Sequence, residues 1–293
     1  MLLDYEQPLY RPPSEASNLI LQITIGCRFN QCSFCAMYKH KEYRLKSLDE
    51  IQHDINKARQ FAPATTRIFL ADGDAFNLSS DQLLSILELL QAAFPALTRV
   101  SCYATPANIS AKTSAQLSLL RDNKLSLIYL GIESGSDTLL KKISKGASKN
   151  SIIRSLKMAD AARIKVSATI ILGLGGQQYS REHIAETISL LNLAPVTYLS
   201  TLQLFLDESS RTEFLNKFSG TFIEQSDAGI LHELSALVSQ LEPPKRIIFR
   251  TNHASNALAL AGNLPKDKTR LTTEISQALD SPRLLTARSL RSL

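Results

Sequence analysis

Residues 19–35 read LILQITIGCRFNQCSFC and decide the fold of this chain. The first seven form an almost continuous apolar run, which is typical of a parallel strand covered on both faces. Gly26 then leads into a loop with Cys27, Cys32 and Cys35, and Cys102 is the one other cysteine in the sequence. Three thiolates this close together suit a metal ion or an iron–sulfur cluster.

Short apolar runs and amphipathic stretches alternate over the first 205 residues, with a repeat of about thirty residues, the length of a βα unit. This order predicts an α/β fold, a partial parallel (βα)6 barrel, with an open doubly wound sheet as the alternative. Capping boxes begin helices after Ser47 and Ser79. Other helices are predicted near residues 112–122, 137–144, 150–162 and 181–192. The predicted strands are Leu19–Ile25, Arg67–Ala71, Arg99–Tyr103, Leu125–Ile132, Lys165–Leu172 and Tyr198–Leu204.

The pattern changes near residue 206, where helices over 208–218, 224–241 and 268–279 dominate. We therefore predict three parts: an N-terminal arm over 1–17, the barrel over 18–206, and a helical C-terminal extension over 207–293 packed on the barrel. The last residues are basic, and we expect them to be disordered.

Composition is that of a soluble globular protein, with 44% hydrophobic and 20% charged residues among 293. No apolar run is long enough for a transmembrane helix, and the first residues lack the pattern of a signal peptide. We expect a cytoplasmic protein with reduced cysteines and no membrane partner. The net charge of +6 is spread along the chain, so it supports a nucleic-acid partner only weakly.

The cysteine loop resembles that of the radical S-adenosylmethionine (SAM) superfamily. The common spacing there is Cys-x3-Cys-x-aromatic-Cys; this chain has Cys-x4-Cys-x2-Cys and keeps an aromatic residue, Phe34, before the third cysteine. It is most similar to a branch with the longer spacing, in which coproporphyrinogen-oxidase-like labels are common. The resemblance extends to residues 72–74, 131–136, 171–175 and 252–256.

This resemblance implies a cluster and a reaction. Cys27, Cys32 and Cys35 would hold a [4Fe-4S] cluster, whose fourth iron binds SAM. An electron from a partner such as flavodoxin or ferredoxin would lead to reductive cleavage of SAM and a 5′-deoxyadenosyl radical, which abstracts hydrogen from a substrate. With one cysteine left over, the sequence argues against a second cluster, and therefore against a methylthiotransferase.

The resemblance also implies SAM contacts from the first half of the chain. Phe34 would pack near the adenine, and Tyr38 lies on the same loop. Asp72, Gly73 and Asp74 stand where the superfamily has a glycine-glycine-glutamate stretch that meets the amino group of SAM. A turn pair with no ligand is the alternative for the two aspartates, and core packing is the alternative for the two aromatic residues.

Later strands add further implied contacts. Glu133 or Ser134 would face the ribose or the methionine part of SAM. The backbone at Leu172 and Gly173, together with Gln203, would approach the adenine. A buried carboxylate such as Glu133 needs a partner, whereas the glycines after residue 172 are also explained by a tight turn.

Several questions stay open in the sequence. A zinc site with His40 as fourth ligand would make the chain a non-catalytic zinc or iron–sulfur binding protein. Cys102 is a fourth ligand, a catalytic thiol or a small core residue. The segment Asn252–Asn256 contacts substrate or closes its own loop. A small molecule, a nucleoside or RNA, a peptide and a tetrapyrrole all remain candidate substrates, and the fate of SAM and the oligomeric state are not encoded in any motif.

Overall fold

A computed structural model describes residues 3–219 and 222–291 of the chain. Its strands are β1 (Leu19–Gln22), β2 (Thr24–Ile25), β3 (Arg44–Leu45), β4 (Arg67–Ala71), β5 (Arg99–Tyr103), β6 (Leu125–Glu133), β7 (Lys165–Leu172), β8 (Tyr198–Gln203), β9 (Ile247–Arg250) and β10 (Ala261–Leu264). Its α-helices are α1 (Leu48–Phe61), α2 (Ser80–Ala93), α3 (Pro106–Ser110), α4 (Ser114–Asp122), α5 (Asp137–Lys142), α6 (Lys149–Ala161), α7 (Gly176–Leu193), α8 (Glu208–Asn216), α9 (Asp227–Gln240) and α10 (Lys268–Asp280).

Eight strands form one sheet in the order β1-β4-β5-β6-β7-β8-β9-β10. The pairs β1–β4, β4–β5, β5–β6, β7–β8 and β8–β9 are parallel, and β10 runs antiparallel to β9. Helices separate the parallel strands along the chain, as crossover connections require. The predicted α/β class with repeated βα units is confirmed.

The strand boundaries follow the apolar runs closely. The predicted strands Arg67–Ala71, Arg99–Tyr103 and Lys165–Leu172 have the same bounds in the structure. The predicted strand Leu19–Ile25 is divided instead: β1 ends at residue 22, and β2 pairs antiparallel with β3. Since β2 precedes the cysteine loop and β3 follows it, this small ribbon brings the two ends of the loop together.

Capping explains where the helices begin. The predicted boxes at Ser47 and Ser79 are present, with reciprocal bonds to Glu50 and Gln82. Helix α3 was not predicted, although Thr105 caps it and a proline occupies its first turn. Such a proline at the first helical position, preceded by a threonine, was the sequence signal for this helix.

The C-terminal part contains helices α8 to α10, as predicted, but it also supplies strands β9 and β10. The described part of the basic tail contacts the rest of the second unit, contrary to the expectation of disorder. Thr286 donates its N–H to the carbonyl of Ala257 at 2.8 Å. The Arg291 guanidinium contacts both carboxylate oxygens of Asp227, at 2.8 and 2.9 Å. A bidentate pair of this kind fixes the tail geometrically.

The chain divides into two compact units. The first unit comprises residues 1–30, 37–130 and 158–166; the second comprises residues 31–36, 131–157 and 167–293. In the first unit, the N-terminal segment packs on apolar strand residues, and the Tyr5 hydroxyl donates to the carbonyl of Ile20 at 2.8 Å. Glu15 is buried there against Arg99, at 2.8 Å. The division into arm, barrel and extension stays a prediction.

Among residues 3–219 and 222–291, no helix combines the length and the apolar character needed to span a bilayer.

Candidate cofactor site

The cysteine loop connects β2 to β3 and carries three half-buried thiols. The Cys35 N–H donates to the Cys32 carbonyl at 3.2 Å, so the last two cysteines share one tight turn. Asn30 donates its side-chain amide to the carbonyl of Tyr38 at 2.9 Å, which ties the middle of the loop to its end. In the part of the chain that the structure describes, no group of three or more His, Cys, Asp or Glu side chains is assembled for a metal ion.

Asp72 follows β4 and is fully buried. Its Oδ2 accepts hydrogen bonds from Lys41 Nζ at 2.9 Å and from the N–H of Gly26 at 3.3 Å. The Gln22 side-chain amide adds a third, at 3.3 Å. Its Oδ1 is buried without a hydrogen-bond partner among the described residues. The carboxylate therefore has one oxygen committed to the protein and one acceptor left over.

Gly73 and Asp74 complete the segment after β4. A Cβ at Gly73 would lie 2.5 Å from a ring carbon of Tyr38, so only glycine fits against this buried ring. Burial raises the pKa of Asp74 to about 7, against the opposing effects of Arg28, the Asn108 hydrogen bond and a nearby lysine. Asp74 Oδ1 is a second buried acceptor without a hydrogen-bond partner in the described residues. Such acceptors need a donor, since burying them without one is costly.

Glu133 ends β6 and pairs with Lys145, which the sequence did not single out. The Lys145 Nζ lies 2.7 Å from Glu133 Oε1 and 6.0 Å from the centroid of the Phe34 ring. Burial alone would lower the pKa of Lys145, but the charges of Glu133, Cys32 and Cys35 raise it above its ordinary value. The lysine is therefore a fixed positive charge beside the cysteine turn.

Ser134 turns its hydroxyl into the protein. Its Oγ lies 2.8 Å from Nδ1 of His183, whose Nε2 lies 3.0 Å from the carbonyl of Ile171. Because a carbonyl can only accept, Nε2 carries the proton and Nδ1 accepts from the serine. Burial lowers the pKa of His183 to about 4, so the ring is neutral. The Ser134 oxygen also accepts the N–H of Ser136 at 3.0 Å.

Gly173 follows β7 with a positive φ of 77°, a conformation in which glycine is favoured. Its N–H donates to Glu233 Oε2 at 2.7 Å, and Ser180 donates its hydroxyl to the other carboxylate oxygen at 2.6 Å. Burial raises the pKa of Glu233, and the hydrogen bonds only partly offset this. The carbonyl of the preceding residue, Leu172, accepts the N–H of Leu204 at 2.9 Å.

A cavity of about 270 Å³ lies at the ends of β7 and β8 in the second unit. Gln203 lines it, donates its N–H to Ser255 Oγ at 3.3 Å and accepts from Arg291 at 3.4 Å. The structure thus brings the predicted residues Gly173 and Gln203 to one cavity, which the tail also reaches. The complete lining is Gly173, Gln203, Leu204, Phe205, Leu206, Arg211, Glu224, Gln225, Ile230, Ser255, Arg288 and Arg291.

The structure shows where Cys102, His40 and the segment 252–256 lie, whose roles the sequence left open. Cys102 is fully buried in β5, and burial raises the pKa of its thiol, as expected of a core residue. The side chain of His40 is exposed. Asn256 donates its amide to the carbonyls of Thr201 and Thr251 at 2.6 and 2.9 Å, so the segment 252–256 ties β8 to the end of β9.

A family model described as the Radical SAM superfamily matches residues 21–191, more than half of the chain. The chain belongs to the radical SAM superfamily. It is accordingly an enzyme, and the cofactors of this superfamily are a [4Fe-4S] cluster and SAM.

Curated relatives agree with this assignment at low identity. The chain is 22% identical over 193 residues to the heme chaperone HemW of Bacillus subtilis, covering 63% of this chain and 49% of that protein. It is 24% identical over 174 residues to the putative methylthiotransferase MJ0865 of Methanocaldococcus jannaschii, covering 58% and 37%. The radical SAM chain thus spans about half or less of the length of these relatives.

Solved structures share the fold. Coproporphyrinogen III oxidase (HemN) from Escherichia coli superposes with a TM-score of 0.56 at 17% identity, covering 76% of this chain and 52% of that chain. Methylornithine synthase (PylB) superposes with a TM-score of 0.55 at 15% identity, covering 78% and 63%.

The side chains present fit the superfamily's cofactors on chemical grounds. Three sulfur donors suit a cluster. The buried acceptors of Asp72 and Asp74 suit the amino group of SAM, which is a hydrogen-bond donor. Sequence reasoning missed two lysine partners, Lys41 of Asp72 and Lys145 of Glu133, because no local motif identifies a lysine as buried.

Proposed function

We propose that Cys27, Cys32 and Cys35 ligate a [4Fe-4S] cluster and that the enzyme cleaves SAM reductively to abstract hydrogen from a substrate. Membership of the radical SAM superfamily and the three-cysteine loop carry this proposal. When bound, the cofactors supply one chemistry, cleavage of the sulfonium C–S bond to methionine and a 5′-deoxyadenosyl radical. The side chains and backbone groups described above would bind and orient these cofactors.

Lys145 contributes electrostatically beside the cysteine turn. Its ammonium is held by Glu133 and interacts electrostatically with the side chains of Cys32 and Cys35. A positive charge in a partly buried site stabilises thiolates, which are the ligating form of cysteine. We propose that the lysine keeps these two cysteines ready to ligate and offsets the negative charge that a reduced cluster brings.

The segment after β4 provides acceptors for the amino group of SAM. Asp72 Oδ1 and Asp74 Oδ1 are buried without hydrogen-bond partners in the described residues. Gly73 lies between them and packs so closely on the Tyr38 ring that no side chain fits there. An ammonium group would satisfy such acceptors. We propose this segment as the binding site of the amino group.

The cavity of the second unit suits the adenosine part of SAM. Its volume of about 270 Å³ admits a nucleoside-sized group, and Gly173 and Gln203 line it. We propose that Gly173, the backbone at Leu172 and Gln203 contact the adenine, with Phe34 as an aromatic neighbour from the cysteine loop. Glu133 is proposed to face the ribose or the methionine part; the Ser134 hydroxyl is already committed to His183.

The substrate is proposed at the level of class only. HemW and HemN carry heme and coproporphyrinogen in their names, and for that reason we propose to test tetrapyrroles first. Nucleosides, RNA, peptides and small metabolites follow as candidates. A flavodoxin or ferredoxin is the proposed electron donor.

The test is anaerobic reconstitution followed by product analysis. We expect about four irons with matching sulfide per chain, and release of 5′-deoxyadenosine and methionine when reductant and SAM are added. Cys32→Ala should lose both the iron and the cleavage, whereas Cys102→Ala should keep both, because Cys102 is a core residue. Colourless protein with one zinc, or full iron content in Cys32→Ala, would contradict the ligand assignment.

A further inference from the structure

The two ends of the cysteine loop meet on one carboxylate in the first unit. Gly26 precedes the first cysteine, and its N–H donates to Asp72 Oδ2 at 3.3 Å. Lys41 follows the loop, and its Nζ donates to the same oxygen at 2.9 Å. A Cβ added at Gly26 would lie 3.2 Å from the Cβ of Lys41, so the two loop ends are in van der Waals contact.

The pair is buried more deeply than a surface ion pair. The side chains of Lys41 and Asp72 are 3% and 0% exposed. Lys41 Nζ also donates to the carbonyl of Glu6 at 2.7 Å, and the N–H of Asp72 donates to Thr24 Oγ1 at 3.1 Å. A buried ion pair with its other hydrogen bonds satisfied has one preferred geometry, which suits it to fixing the position of neighbouring backbone.

The β2–β3 ribbon, which also joins the loop ends, is short. Each strand of the β2–β3 ribbon has two residues, and both residues of β3 are exposed. An isolated two-stranded ribbon of this length has little stability of its own in water. The closing of a long loop also costs chain entropy, which the contacts at its ends must offset.

We propose that Asp72 and Lys41 are positioning residues that clamp the cysteine loop and set the spacing of its thiols for cluster binding. The predicted effect on cluster retention rests on the proposed function. The contacts of Asp72 and Lys41 with the loop ends are present in the protein without cofactor. The role uses Asp72 Oδ2 and leaves Oδ1 for SAM.

The test replaces the pair by apolar residues of similar volume, Asp72→Leu with Lys41→Met. Each single change leaves one buried charge without its partner and should lower stability. The double change should recover part of that loss because no buried charge remains, although Gly26 and Gln22 still lose their acceptor. The matched control is Asp54→Leu with Lys46→Met, which removes another partly buried pair, at 2.7 Å, in the same unit. A milder version, Asp72→Asn with Lys41→Met, keeps an acceptor for Gly26.

Two measurements separate positioning from folding. In protein without cofactor, hydrogen exchange at the Gly26 amide should be about tenfold faster in the Leu/Met variant, the factor expected from loss of one hydrogen bond. After reconstitution, iron should be lost to a chelator about tenfold faster, as when a group that orients metal ligands is removed. The Asn/Met variant should recover most of the Gly26 protection, and the control pair should change neither rate.

The outcomes distinguish the two proposals. Unchanged Gly26 exchange and unchanged iron loss in a folded Leu/Met variant would overturn the clamp. If that variant does not fold, the Asn/Met variant decides: faster iron loss with normal stability supports the clamp, and normal iron retention overturns it. Failure of the unmodified chain to bind iron would refute the proposed function, while the Gly26 exchange would still test the clamp.

Discussion

Removal of the Glu233 carboxylate tests how the C-terminal part supports the turn after β7. Glu233 lies on α9 and is 3% exposed. Its two oxygens accept from the Gly173 N–H at 2.7 Å and from the Ser180 hydroxyl at 2.6 Å. In Glu233→Ala, the Gly173 amide would stay buried without an acceptor, whereas the half-buried serine can turn to water.

The structure sets the size of the effect. A buried donor left without an acceptor costs about 1–3 kcal/mol, and loss of the side-chain stem adds to it. Glu233→Gln is the matched control, because its amide oxygen can accept from Gly173 and its NH2 can donate to Ser180. We therefore expect the alanine variant to be less stable than the glutamine variant by about 1–3 kcal/mol at neutral pH.

The pH dependence gives an independent check. Burial raises the pKa of Glu233 in the folded protein above its ordinary value of 4.5. The folded state then binds the proton more tightly than the unfolded state, so this group's contribution to stability is lost as pH rises from 4.5 through the folded pKa. The glutamine variant should lack that decline relative to the unmodified protein.

The assay is denaturant unfolding of the two variants over a pH series, with hydrogen exchange at the Gly173 amide as a local measurement. Equal stability of the alanine and glutamine variants, with unchanged Gly173 exchange, would refute the reasoning. It would mean that the hydrogen bond to the backbone has no net value at this turn.

Two further predictions concern packing and protonation. Gly73→Ala should destabilise the protein by about 1–3 kcal/mol in denaturant unfolding, because its Cβ would lie 2.5 Å from the Tyr38 ring; in a Tyr38→Ala background the same change should cost little, and a full cost there would contradict the clash. His183 has its pKa lowered by burial from 6.5 to about 4, so its contribution to stability should be lost as pH falls from 6.5 to 4, by about 3 kcal/mol in total. His183→Gln should flatten that part of the stability–pH curve, and an unchanged curve would show that the ring takes up no proton there on unfolding.

The sheet could be predicted because its strands are continuous apolar runs ended by glycine or polar residues. The run Lys165–Leu172 is ended by Gly173, and its bounds agree with the structure. Strand β10 (Ala261–Leu264) was missed because its residues, Ala-Gly-Asn-Leu, have low β propensity; pairing with β9 makes it a strand. An apolar run can be recognised from the local sequence, whereas a strand formed by pairing can be recognised only from the tertiary structure.

The candidate site was predicted only in part, for a related reason. The cysteines and the acids at strand ends stand out in sequence, but their protein partners are distant in the chain. Lys41 is 31 residues from Asp72, and Glu233 is 60 residues from Gly173. No periodicity or motif links such pairs, because the two residues meet only in the folded structure. Burial there requires each charged or polar group to have a partner.

The acids at the strand ends share a physical logic. Asp72 is held by Lys41, and Glu133 by Lys145. A carboxylate placed at such an edge without a partner would take up a proton or draw in water, and its position would vary. Paired with a buried lysine, it keeps one orientation. The oxygens that remain are then fixed in place before any cofactor binds, which lowers the ordering cost of binding. We therefore predict that removing either lysine weakens cofactor binding even where the fold is retained.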